Sequence, residues 1–121
     1  MNRRALGGRE KALGEEHPDT LTSVSNLALV LESQGKYEAA EEMNQRVLDG
    51  YEKALGKEHP FTLTSVSNLA LVLSSQGKYK AAEEMNRRAL DSREKALGKE
   101  HPDTLTSVSD LALVLQYQGK Y

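Results

Sequence analysis

At 121 residues, with 16 basic and 18 acidic side chains and a net charge of −2, the chain has the size of one domain and no basic excess for nucleic acid. Cysteine is absent, which excludes disulfides and thiolate metal sites and fits a reducing, cytoplasmic setting. The longest apolar run, Leu27 to Leu31, falls far short of the ~20 residues of a membrane span, and Met1 to Gly8 holds no apolar signal region.

Self-similarity decides the organisation. The stretch from His17 to Tyr37 returns as His59 to Tyr79 and again as His101 to Tyr121, at the same offset each time. Residues 17–58 and 59–100 agree at 35 of 42 positions, and residues 1–16 agree with 85–100 at 13 of 16. A fixed period of this size marks stacked repeats, in which one unit cannot bury its own apolar faces and its neighbour does so. The expected division of one solenoid over residues 1–121 is a partial repeat at 1–16, full repeats at 17–58 and 59–100, and a partial repeat at 101–121.

Residues 1–13 read as the back of a helix ended by Gly14. Pro18 opens the next helix, as proline does where the missing N–H would have no partner anyway. Leu21, Val24, Leu27, Ala28 and Leu31 then recur at spacings of three and four, an apolar stripe that Leu29 and Val30 widen. This helix A is expected over residues 18–34, ended by Gly35. Helix B follows from Tyr37 to Leu55, with Tyr37, Ala40, Met43, Val47, Leu48, Tyr51, Ala54 and Leu55 as its stripe, acids at its start and Lys53 near its end, in the sense the helix dipole favours. Gly56 stops it, and a short link leads to Pro60. Short links make the helices antiparallel neighbours. No alternating run signals a strand, so the fold class is all-α, a solenoid of antiparallel helix hairpins.

The landmarks Val24, Leu27, Ala28, Leu31, Gly35, Tyr37, Ala40, Val47 and Leu48, with their counterparts one period on, resemble the tetratricopeptide repeat (TPR). The longer period, with Asn-Leu-Ala, Gln-Gly-Lys-Tyr, Ala-Leu-Gly and His-Pro, is similar to the kinesin-light-chain type. The near-identity of the units resembles the arrays of fungal nucleotide-binding receptors. The resemblance implies a right-handed superhelix and a non-catalytic protein-interaction scaffold. Its concave face, lined by the A helices, would bind a peptide or protein. One departure is Asn44 and Asn86, which stand where the family has a large aromatic, so that contact would be thinner or more polar.

The three histidines are one per unit. Equivalent side chains in stacked helices stand roughly 10 Å apart, too far to share one ion, so no metal is expected. Near-identical units also supply no asymmetric catalytic constellation, and no glycine-rich loop follows a strand, so neither enzyme activity nor a cofactor is expected. The candidate binding residues are Asn26, Leu29 and Ser33 in the first A helix. Their counterparts are Asn68, Leu71 and Ser75, then Asp110, Leu113 and Tyr117. The resemblance implies that Asn26 and Asn68 bond a peptide backbone, since an amide both donates and accepts. Tyr51 and Phe61, which replace Arg and Asp elsewhere, are candidates for an outer aromatic patch. Finally, the chain stops as a helix B begins and starts inside one. Leu111, Ala112 and Leu115 are therefore expected to be partly bare and to receive Ala5, Leu6 and Leu13 of a second copy in a weak head-to-tail contact.

Overall fold

The computed structural model describes residues 18–119, with side chains from Thr20 onward. Five helices follow in order: α1 (Pro18–Ser33), α2 (Tyr37–Leu55), α3 (Pro60–Ser75), α4 (Tyr79–Leu97) and α5 (Pro102–Tyr117). The fold is all-α, and the described residues include no strand. The chain forms two compact units, Met1–Ser65 and Val66–Tyr121, so the division falls within α3.

Two kinds of glycine set the helix ends. Gly35, at φ +77°, closes α1: its N–H donates to the Glu32 carbonyl at 2.9 Å, and the Lys36 N–H reaches back to the Leu31 carbonyl at 2.8 Å. This pair of bonds is the Schellman closure, which needs a left-handed residue. Gly77 and Lys78 repeat it at the end of α3. Gly56, after α2, is different: φ 94° and ψ 162° place it in a region that essentially only glycine enters. Gly98, at φ 89° and ψ 163°, matches it after α4.

The next helix opens with a cap from histidine. The Nδ1 atom of His59 accepts the Phe61 N–H at 3.0 Å, and that of His101 accepts the Asp103 N–H at 3.1 Å. An imidazole nitrogen accepts only when it carries no proton. The histidine thus serves as the residue before proline, a position usually held by Ser, Thr, Asp or Asn.

In the first unit, Leu21, Val24, Leu27, Ala28 and Leu31 of α1 are buried, as their spacing predicts, and so are Ala40, Val47, Leu48 and Tyr51 of α2. The helices meet closely where Gly50 faces Leu21, since a Cβ on Gly50 would stand 2.7 Å from a Leu21 methyl carbon. That contact joins the start of α1 to the end of α2, the antiparallel arrangement. In the second unit Val66, Leu69, Ala70, Val72 and Leu73 of α3 are buried, as are Ala82 and Ala89 of α4 and Leu111 and Val114 of α5. Burying one such aliphatic side chain stabilises the fold by about 1.5–3 kcal/mol.

The structure departs from several of these expectations. Helix α1 ends at Ser33, because Gln34 is taken up in the closing turn. Val30, expected to widen the stripe, is exposed, whereas its counterparts Val72 and Val114 are buried. Tyr37 and Ala54, assigned to the stripe of helix B, are exposed. Leu111, expected to be partly bare, is only 8% exposed. The 3.6-residue period fixes the angle of a side chain about its helix but not what lies across from it.

Candidate binding face

Helices α1, α3 and α5 each carry the same face by the same spacing. Leu29, Leu71 and Leu113 are 56%, 55% and 44% exposed, although each sits one position after a core residue or its alanine equivalent. Around them, Asn26, Ser33 and Ser75 are exposed, and Asn68 and Asp110 are half-buried. Tyr117 is exposed at the end of α5. None of these nine positions belongs to the buried core. The sequences of α1, α3 and α5 contain no Lys, Arg or His.

Polar groups on this face are tied in different ways. The Ser75 hydroxyl donates to the Leu71 carbonyl of its own helix at 3.1 Å, which leaves its oxygen lone pairs for a visitor. Burial pushes the Glu32 carboxyl above its ordinary value. Burial also raises the Asp110 carboxyl, against a smaller opposing pull from the Arg93 guanidinium. At the end of α5, the Tyr117 ring lies 5.5 Å from that of Tyr79, at the start of α4. Beside this pair the Gln118 amide donates to Glu83 Oε1 at 2.9 Å, and Arg87 Nε donates to Glu83 Oε2 at 2.8 Å.

The links between a B helix and the next A helix hold two features that sequence reasoning missed. Arg93 is 8% exposed, and its Nη1 donates to the Ser107 hydroxyl at 2.7 Å and weakly to the Asp103 carbonyl at 3.4 Å. In the first unit the same position is Tyr51, which is buried and packs its ring 5.9 Å from Phe61. Phe61 in turn meets His59 edge-on at 4.9 Å. The aromatic patch exists, but only Phe61 of it is exposed. Asn44 and Asn86, at the positions of the family's large aromatic, are both buried.

On α5 a second apolar strip is bare: Leu105 is 51% and Val108 46% exposed, where their counterparts Leu63 and Val66 on α3 are buried. Ala112 is exposed and Leu115 half-buried on the same side, at spacings of three and four. This replaces the expected trio, from which Leu111 drops out because it faces the core. The proposed mates Ala5, Leu6 and Leu13 lie outside the described residues. Among the described residues no group of His, Asp and Glu could hold a metal ion, and no helix is long and apolar enough to cross a membrane.

A helix hairpin repeated at a constant interval, with short glycine-closed turns and a recurring exposed face, defines a helical repeat protein of the solenoid class. The tetratricopeptide-repeat family matches residues 1–53, 22–95 and 62–121, and the chain belongs to that family. Among solved structures, a Podosopora anserina protein given as a putative kinesin light chain of nearly identical TPR-like repeats is 30% identical. It aligns over 98% of this chain and 56% of its own, with a TM-score of 0.90. BtubC (BKLC) from P. vanneervenii shares the fold at 24% identity, with a TM-score of 0.89 over 98% of this chain and 48% of its own. This chain therefore spans about half the length of these relatives. The structural relatives are of the kinesin-light-chain type, as the long period implies. No curated protein matches the sequence significantly.

Proposed function

We propose that this chain is a non-catalytic protein-interaction scaffold that takes a peptide or protein segment on the faces carried by its A helices, α1, α3 and α5. One observation carries the reading: a leucine recurs in the middle of that face on all three helices, about half exposed each time, among amide and hydroxyl groups. Apolar side chains set singly in polar surroundings need no ligand. A leucine repeated at the same place on three helices, with hydrogen-bonding groups beside it, suits an extended chain whose backbone needs donors and acceptors. Asn26 and Asn68 are the backbone-bonding residues in this proposal. Within a longer polypeptide of the fungal nucleotide-binding receptor kind, the same face would serve as the ligand-sensing region; the near-identity of the units supports that placement. The test is titration of a library-selected peptide. Asn68→Ala is expected to weaken binding by about 1–3 kcal/mol, because a buried peptide group loses its partner. Full affinity after both Asn26→Ala and Asn68→Ala would move the site elsewhere.

A second reading is a self-associating array, and the bare strip of Leu105, Val108, Ala112 and Leu115 favours it. A contact between this strip and a different surface of a second copy is heterologous and extends into a filament unless the rotation closes. Leu105→Glu should abolish any concentration-dependent sedimentation. A chain that sediments as a monomer at every concentration excludes this reading.

A further inference from the structure

We propose that Asp110, Leu113 and Tyr117, with Tyr79 behind Tyr117, form an anchor for an extended peptide that carries a basic side chain and, three residues away, an apolar one. This rests on the scaffold reading and names the chemistry of the partner. The anchor lies where the repeats differ. His101 to Tyr121 departs from His17 to Tyr37 only at Asp110, Gln116 and Tyr117, in place of Asn26, Glu32 and Ser33. All three changes lie on the candidate face, and every core position is unchanged. The change from a serine position to Tyr117 adds a large ring that stays 55% exposed, and the Tyr79 ring holds it from behind at 5.5 Å.

Residues 110, 113 and 117 stand at intervals of three and four, so they form one stripe along α5. From Asp110 to Tyr117 the helix rises about 10 Å, and three residues of an extended chain cover about the same distance. A basic side chain at Asp110 thus sets the third residue along over the Tyr117 ring and the Leu113 side chain.

Charge on the A helices favours a basic partner: α1, α3 and α5 contain no Lys, Arg or His, and the cation that acts on Asp110 is Arg93 of α4. The neighbouring Arg93 places its hydrogen bonds on Ser107 and the Asp103 carbonyl. Glu83 is engaged by Gln118 and Arg87. Asp110 is the carboxylate of the 110, 113 and 117 stripe, and a visiting guanidinium or ammonium group meets it in competition with the Arg93 charge. Its partial burial strengthens a charge-assisted hydrogen bond beyond what open solvent allows.

The test uses the 121-residue chain and fluorescein-labelled decapeptides in a glycine-serine background. One pair carries a single arginine with a leucine three residues before or after it; controls replace the arginine by glutamate or the leucine by serine. One of the arginine-leucine peptides is expected to raise the anisotropy, with both controls weaker. Asp110→Asn restores the residue of the other two copies, so folding is safe, and it should weaken binding about tenfold, the range of a hydrogen bond to a charged group. Tyr117→Ser, also a residue of the other copies, should weaken it similarly. The anchor is overturned if the glutamate peptide binds as well as the arginine peptide, if neither variant changes the affinity, or if neither arginine-leucine peptide binds. Selection from a random displayed library then separates the two ideas. Binders lost on Asn68→Ala but kept on Asp110→Asn leave the scaffold reading standing without the anchor, and a library that yields no binder removes both.

Discussion

The two links that lead from a B helix to the next A helix share a backbone and differ in chemistry. Both turn on a glycine in the same unusual conformation, and both open the following helix with a histidine cap. The link at Gly56 is filled by the rings of Tyr51, Phe61 and His59. The link at Gly98 is filled by Arg93, whose guanidinium takes the Ser107 hydroxyl. Ser65, the counterpart of Ser107, instead donates to the Phe61 carbonyl of its own helix. The lesson is that the turn is specified by glycine, histidine and proline, so the side chains packed behind it can be apolar or ionic. A buried arginine is tolerated there because its stem covers apolar surface while its head is hydrogen-bonded.

The largest test of this contrast is Tyr51→Ala. Loss of a buried aromatic ring should cost about 3–5 kcal/mol in chemical denaturation. A cost under about 1 kcal/mol, the ordinary size of a point-mutation effect, would show that the aromatic filling is incidental. Next comes Arg93→Ala, expected to cost about 1–3 kcal/mol because the buried Ser107 hydroxyl loses its donor. The exchange Arg93→Tyr with Asp103→Phe should recover most of that loss, since Ser107 can then bond back along its own helix as Ser65 does. A double-mutant cycle without coupling would mean that the two fillings are not alternatives. Smaller still, His59→Ala and His101→Ala should each cost about 1 kcal/mol, the value of a helix cap, and should do so equally in both links; asparagine at either place should restore it. The smallest effect is on pH dependence. Burial raises Glu32 and Asp110 above their ordinary values of 4.5 and 3.8. Each therefore favours the folded state most when protonated, and that contribution is lost as pH rises through the raised values. Glu32→Gln with Asp110→Asn should flatten the stability profile from about pH 4 upward and slightly raise the midpoint at neutral pH. An unchanged slope would mean that neither carboxyl is desolvated.

Most of the fold was legible, because glycine and proline mark the ends of each helix and the apolar positions follow one period. The family and the helix boundaries came from the same few residues. What escaped depended on neighbours. Thr62 is wholly buried, with its hydroxyl on the Gly56 carbonyl at 2.7 Å, and nothing in the local pattern separates it from the exposed Thr64. Arg93 counts as surface in any composition argument and is nevertheless enclosed. Leu105 and Val108 share the spacing of Leu63 and Val66 but not their burial, since periodicity cannot say whether a facing helix is present. On the candidate face, seven of the nine positions are exposed and two, Asn68 and Asp110, are half-buried, a difference that the angle on the helix does not separate. Which of them meet a ligand does not follow from angle, and the departures at Asp110 and Tyr117 became informative only when the Tyr79 ring and the partners of Arg93 were placed beside them.

The closing bonds of the Gly35 and Gly77 turns run between residues at most five apart, and the Gly56 turn is tied by Thr62 only six residues away. Each change of direction is therefore encoded by the stretch that makes it. A unit can be copied into or deleted from such an array without retuning distant sequence, and the joints on either side of the edit remain correct. The length of the array then becomes heritable independently of its fold. Recombination between near-identical segments can lengthen or shorten it in whole-repeat steps, while single substitutions such as those at Asp110 and Tyr117 change the surface of one segment.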